Sequence, residues 1–201
     1  MPSSDEIYER YLARAIREMN SLGDEIGACT RIPHPANAAV LGSGHPLADI
    51  MLLKFRAQAS EIQEGVAFFG RTGAAILKSV RRLGIDPLVI YGTNCVKCAD
   101  GNPDEAVAAC PVWLMREIAI TEPKIIVAMG EDVVLTLNDL RIPLASEIDA
   151  TRIGEVQRLT PTIDVLVVPD IDGALNDEDA KRSFWTAFKA LGQWYDALPP
   201  Y

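Results

Sequence analysis

Residues 88–98 read LVIYGTNCVKC. An apolar, strand-forming run passes through Gly92 into a polar turn that carries Cys95 and Cys98 as a C-x-x-C. Three more short runs have the same character: DIMLLKF (49–55), KIIVAMG (124–130) and IDVLVVP (163–169). Each is apolar at consecutive positions, so each expects cover on both faces. Helical patterns lie between them. TGAAILKSVRRLG (72–84) has Thr72 as a possible N-cap and Gly84 at its end. Pro103 opens a helix through about Ile120, with Pro123 beyond its end, and EDVVLTLNDL (131–140) is a shorter one. EDAKRSFWTAFKALGQWYDAL (178–198) is a closing amphipathic helix.

Strands alternating with helices imply a parallel sheet, and right-handed crossovers put helices on both its sides. The expected fold is α/β, a three-layer αβα sandwich around a central four-stranded, mostly parallel sheet. Such folds place their sites outside the carboxyl ends of the strands. The loops to watch are therefore 54–71, 94–102, 130–132 and 169–175. Farther out, residues 5–22 form a helix with Ile7, Tyr8, Tyr11, Leu12, Ala15, Ile16 and Met19 on one side and Gly23 past its end. Residues 30–47 are rich in proline and glycine and expected irregular, 56–71 are expected to be a long loop, and 141–160 are a place for a hairpin.

The 201 residues fit one domain, 1–201, and an apolar share of 49% is enough for a real core. No apolar run approaches the ~20 residues of a membrane span. The formal net charge of −9 weighs against tight non-specific nucleic-acid binding, which needs lysine and arginine to displace counterions. The first twenty residues are charged and helical without an apolar signal core, so the chain reads as cytoplasmic with reduced thiols.

That reading sets aside two disulfides for the four cysteines. Cys95 and Cys98 sit in one turn, Cys110 follows on a helix and Cys29 lies far upstream. The spacing suits one metal centre around which the chain folds. Buried, inert thiols are the alternative, above all for Cys29. Zinc in a four-thiolate tetrahedron and a four-thiolate iron–sulfur cluster both match the ligand set, and spacing does not choose between them.

In order, the segments GACTRI (27–32), LGSGHPLADIMLL (41–53), FFGRTGAAILKSVRRLGI (68–85), IYGTNCVKC (90–98) with GNPDEAVAAC (101–110), and PKIIVAMGEDVVLTL (123–137) resemble consecutive motifs of the iron–sulfur branch of the uracil-DNA glycosylase superfamily. The resemblance covers roughly 25–140. It implies the αβα fold, a 4Fe–4S cluster and a pocket for a flipped base. Cys29, Cys98 and Cys110 match cluster cysteines directly. Ile32 stands where the family has its second cysteine, and Cys95, at a position usually apolar in the family, offers a replacement thiolate. Phe68 matches the aromatic residue that stacks on the base, and Asn94 the asparagine that reads the base edge; their ordinary alternatives are a core aromatic and a turn residue.

The catalytic stretches depart from the family. Lys54, Phe55, Arg56, Ala57 and Gln58 replace a glycine-containing loop after the first central strand, with Glu61 near the family's acidic pair. Asp170, Ile171 and Asp172 replace a histidine-containing turn after the last. Asp170, Asp172 and Glu61 are the remaining catalytic candidates, against a solvated acidic turn. Lys54 with Arg56 could hold a phosphate, or form an exposed loop edge. Lys78, Arg81 and Arg82 form a basic helix face, and His34 and His45 lie in a surface loop. Three functions follow: a base- or DNA-binding protein with excision lost, a non-enzymatic iron–sulfur or zinc protein working through a protein partner, or an active glycosylase of altered base specificity.

Overall fold

The structure is a computed structural model that describes residues 3–30, 39–98 and 109–199. Among these residues six strands form one mixed sheet: β1 (Ser43–Gly44), β2 (Ile50–Lys54), β3 (Ile90–Asn94), β4 (Ile125–Met129), β5 (Val156–Arg158) and β6 (Asp164–Val168). Their order is β1-β3-β2-β4-β6-β5. The four central strands are the four expected ones, and all run parallel. β1 and β5 add antiparallel edges. The hairpin expected within 141–160 closes on β6, because β5 pairs with Asp164–Leu166.

Side chains alternate across the pleat, so each central strand feeds two cores. Met51, Leu53, Tyr91, Ile126, Ala128, Val165 and Val167 face one side. There they meet Leu114 and Ile118 of α4 (Pro111–Thr121) and Val133, Val134 and Leu137 of α5 (Glu131–Asp139). Ile50, Leu52, Ile90, Val127, Met129 and Leu166 face the other. They pack on Ile76 and Val80 of α3 (Arg71–Arg82), on Ile171 and Ala174 of α6 (Ile171–Ala174), and on Phe184, Phe188 and Leu191 of α7 (Glu178–Asp196). A third cluster joins Leu22 and Ile26 of α1 (Ser4–Gly27) to Val96, Trp113 and three of the cysteines.

Local chemistry fixes the helix ends and corrects several expectations. Ser3 opens α1 with a capping box, its hydroxyl accepting from the Glu6 N–H while its own N–H donates to the Glu6 carboxylate. The helix runs through Gly23 to Gly27, because Leu22 and Ile26 still have the third cluster to bury against. The front of its expected apolar stripe stays in solvent: Ile7, Tyr8, Tyr11 and Ile16 are exposed. Residues 56–71 are not all loop, since α2 (Ala59–Glu64) forms within them. Thr72 does not cap α3; Gly70 takes that position, and Thr72 is buried inside the first turn with another partner. The expected start of α4 at Pro103 lies outside the described residues; the observed helix has Pro111 at its first turn and ends in Glu122, which adopts a left-handed conformation just before Pro123.

A buried ion pair ties the α1 side together. The Lys97 ammonium, fully buried just past β3, bonds to the Glu117 carboxylate of α4 at 2.5 Å and to the Thr93 hydroxyl. Glu117 also accepts from Thr93 at 3.0 Å and from the Tyr91 hydroxyl at 3.0 Å. Burial first, and then the Glu117 charge, push the Tyr91 hydroxyl far above its ordinary range, so it remains a donor. Removing one partner of such a pair strands a charge in the core. Glu117→Ala should cost about 3–5 kcal/mol, read in thermal melts as a Tm lowered by roughly 6–20 °C. The double variant Lys97→Met/Glu117→Leu should regain most of the loss.

Candidate functional site

Lys54 and Asn94 are paired neighbours at the carboxyl ends of β2 and β3, so their side chains share one sheet face. Gly92 lies two residues earlier on that face, and the Phe68 ring covers it; a Cβ at Gly92 would stand 2.6 Å from the ring. Phe68 itself has a φ of 59°, unusual for a bulky residue. Two contacts hold it there. The Glu61 carboxylate accepts the Phe68 N–H, and the Phe68 carbonyl lies against Gly73, where any Cβ would collide with it. Sequence reasoning missed Gly73 and Gly92, although an unsubstituted residue inside a helix and another inside a strand signal close approach.

Asn94 is fully buried, and neither its amide nitrogen nor its amide oxygen has a hydrogen-bond partner among the described residues. Leaving such a group unpaired costs roughly 1–3 kcal/mol. Beside it, the Lys54 ammonium stands 5.6 Å from the centre of the Phe68 ring. Lys54 is not an exposed loop edge: its side chain is 1% exposed. It pairs with Glu61, which is fully buried, and at 2.8 Å with Asp172. Glu61 also accepts the Gln58 N–H at 2.6 Å.

Asp172, on the turn after β6, gathers donors from the end of β2, the loop that follows it and the first turn of α3. Its carboxylate accepts from Lys54, from the Thr72 hydroxyl at 2.6 Å and from the Gln58 amide at 3.1 Å. Arg71 adds a second tie, donating to the Leu175 carbonyl and the Asn176 side chain. The loop after β2 and the turn after β6 are thus bound to each other. Asp172 is not part of a freely solvated turn, since only 12% of its side chain is exposed. Asp170 serves as a helix cap: it accepts from the N–H groups of Asp172 at 3.3 Å and Gly173 at 2.8 Å at the start of α6. A cavity of about 320 Å³ opens outside the strand ends, lined by Glu131, Asp132, Asp170 and Asp172 with Arg56 as its cation.

Arg56 lines that cavity, and the remaining polar candidates lie elsewhere. Arg56 stacks on Phe55 at 5.1 Å. Lys78 and Arg82 border a cleft between α3 and α7, where Arg82 lies over Trp185 at 4.5 Å. Arg81, in the last turn of α3, is exposed. The His45 ring accepts the Leu47 N–H, a turn-stabilising role. His34 falls outside the described residues.

All four cysteines are buried, and the structure divides them. Cys29, Cys98 and Cys110 share the third cluster, while Cys95 sits in the core under α5 with Leu114 and Val133. Cys98 donates to the Cys110 sulfur, which also accepts the Lys97 N–H at 3.4 Å. These donors hold the Cys110 thiol down to about 6 against its burial, while Cys98, as the donor, is pushed far up. Burial, helped by the Glu117 and Asp132 charges and opposed by Lys97 and Thr136, pushes the Cys95 thiol up to about 12. Among the described residues, no three of His, Cys, Asp and Glu are grouped to hold a single metal ion. Three soft sulfur donors in an apolar pocket, with a backbone N–H aimed at one of them, fit the sulfur ligation of an iron–sulfur cluster.

Comparison with known proteins identifies the architecture. The chain is 37% identical over 97 residues to the type-4 uracil-DNA glycosylase of Sulfurisphaera tokodaii, a match covering 46% of this chain and 44% of the relative. It is 32% identical over 119 residues to that of Pyrobaculum aerophilum, covering 56% and 61%. The first two relatives are therefore matched over less than two thirds of their length. The match to the type-4 enzyme of Archaeoglobus fulgidus is longer and weaker, 24% identical over 188 residues, covering 87% of this chain and 94% of the relative. No helix among the described residues is long and apolar enough to cross a membrane. A sequence model of the uracil DNA glycosylase superfamily matches residues 41–192. That span takes in all six strands and both loops around Phe68 and Asn94, and the chain belongs to the uracil DNA glycosylase superfamily.

Proposed function

We propose that this superfamily member carries an iron–sulfur cluster and has lost uracil excision, its base pocket being closed by its own Lys54. Excision requires a base drawn out of the stack into a pocket, and groups that stabilise charge as the base leaves. The observation that carries the proposal is the pairing of Lys54 with Glu61 and Asp172 beside Phe68 and Asn94. The resemblance implies a glycine-containing loop after this strand; here a salt-bridged ammonium occupies the space beside Phe68. The same contacts commit the remaining candidate acids, since Glu61 and Asp172 hold Lys54 and Asp170 caps α6. This argues against an active glycosylase with new specificity. The acidic lining at the strand ends also repels DNA phosphates.

The cluster would be held by cysteines from the end of α1, the turn after β3 and the start of α4. There it would act as a clip between these segments. A second reading, base binding without cleavage, rests on the Asn94 amide, whose donor and acceptor both lack partners. It requires Lys54 to swing aside. A third, action through a protein partner, draws on the exposed Ile7, Tyr8, Tyr11 and Ile16 of α1.

Single-stranded DNA containing uracil should stay intact with the wild-type protein at enzyme excess, whereas release of uracil would overturn the proposal. Lys54→Gly should open the pocket and tighten binding of that DNA about tenfold or more in fluorescence anisotropy, as one base stacks on Phe68 for about 1–3 kcal/mol. Unchanged binding by a folded Lys54→Gly protein would count against the plug. Asp172→Ala takes one acceptor from three donors. Native-state hydrogen exchange should then quicken in both 58–64 and 170–176, with a loss of about 2–4 kcal/mol in stability.

A further inference from the structure

Given the iron–sulfur reading above, on which this inference rests, the fold supplies three thiolates to the cluster and not four. The backbone fixes Cys95 away from the other cysteines. Its N–H donates to the Lys54 carbonyl at 2.8 Å, and the next N–H, of Val96, donates to the Phe55 carbonyl at 3.0 Å. These bonds tie the turn that follows β3 to the turn that follows β2, so the backbone position of Cys95 is set on both sides. Val96 joins Cys29, Cys98, Cys110 and Trp113 in the third cluster. Cys95 lies instead in the neighbouring core with Met51, Leu53, Leu114, Val133 and Val134. It is 2% exposed. The polar and charged groups that act on Cys95 are Lys97, Thr136, Glu117 and Asp132, whereas those that act on Cys98 are Cys110 and Cys29.

We propose that Cys29, Cys98 and Cys110 alone hold the cluster, and that its remaining iron carries no thiolate from this chain. That iron is left to an oxygen or nitrogen ligand, harder and more exchangeable than sulfur. The position is a site for a small anionic or nitrogenous ligand, and Cys95 is a core residue that replaces one apolar side chain by another of similar size.

The test uses full-length protein purified without oxygen, as wild type and as Cys95→Val, Cys95→Ala, Cys29→Ser, Cys98→Ser and Cys110→Ser. Iron and sulfide are measured, and protein enriched in the Mössbauer isotope of iron is examined by Mössbauer spectroscopy. Wild type and at least one folded Cys95 variant should hold equal iron, about four per chain, with one iron of distinct isomer shift. The three serine variants should lose it. The assignment is overturned by loss of iron from both Cys95 variants with the fold intact by circular dichroism, or by a spectrum in which all irons are alike. Wild-type protein without iron or sulfide would refute the underlying iron–sulfur reading, a separate result from failure of the ligand assignment.

Discussion

Two buried ammonium groups, one on each face of the sheet, constrain the rest of this structure. Lys54 and Lys97 both stand at the carboxyl edge, where the strands end and the loops begin. Each ion removed from water costs several kcal/mol unless a carboxylate meets it. The partners come from far along the chain: Glu117 is 20 residues from Lys97, and Asp172 is 118 residues from Lys54. Each pairing therefore fixes two distant segments at once. Lys97 fastens α4 to the turn that carries Cys98, and Lys54 fastens the end of β6 to the loop after β2.

Phe68 and Lys54 are held by one small set of shared groups. Gly73 and Gly92 still leave the room that Phe68 needs for its carbonyl and its ring, and Glu61 still accepts the Phe68 N–H. These features place an aromatic face over the strand ends, where a base could stack. A lysine at position 54 brings a charge into this space, and the Glu61 carboxylate that holds Phe68 also neutralises that charge. Position and compensation share one group, which is why the closed form is self-consistent and not a collapsed remnant.

The four central strands were legible because each is an uninterrupted apolar run with helical patterning on either side. The motifs of the resemblance singled out Phe68 and Asn94, which the structure brings to one sheet face, and Cys29, Cys98 and Cys110, which share the third cluster. Lys54 was misread because a lysine after an apolar strand ordinarily marks the return to solvent. Nothing near it in sequence announces a carboxylate on the turn after β6. Thr72 looked like a cap because its hydroxyl sits near a helix start, but its partner is again Asp172. The α1 stripe was read correctly as a periodicity, yet periodicity does not say how much of a long helix reaches the domain. Cys95 entered the ligand set by its count and spacing, and sequence spacing does not say that it packs in a different hydrophobic cluster from the other three cysteines.

The short antiparallel strands at the margins have a consequence for how these molecules meet one another. Parallel strands ending at β3 and β6 would present rows of unpaired backbone groups, a template for pairing with another chain. β1 covers one margin over two residues, with Gly44 at a φ of 123°, and β5 covers the other over three. Such brief strands offer little length for a further strand to join. Growth of the sheet from molecule to molecule is therefore discouraged at both margins, and a densely apolar sheet can be kept in a protein whose net charge of −9 further keeps its copies apart.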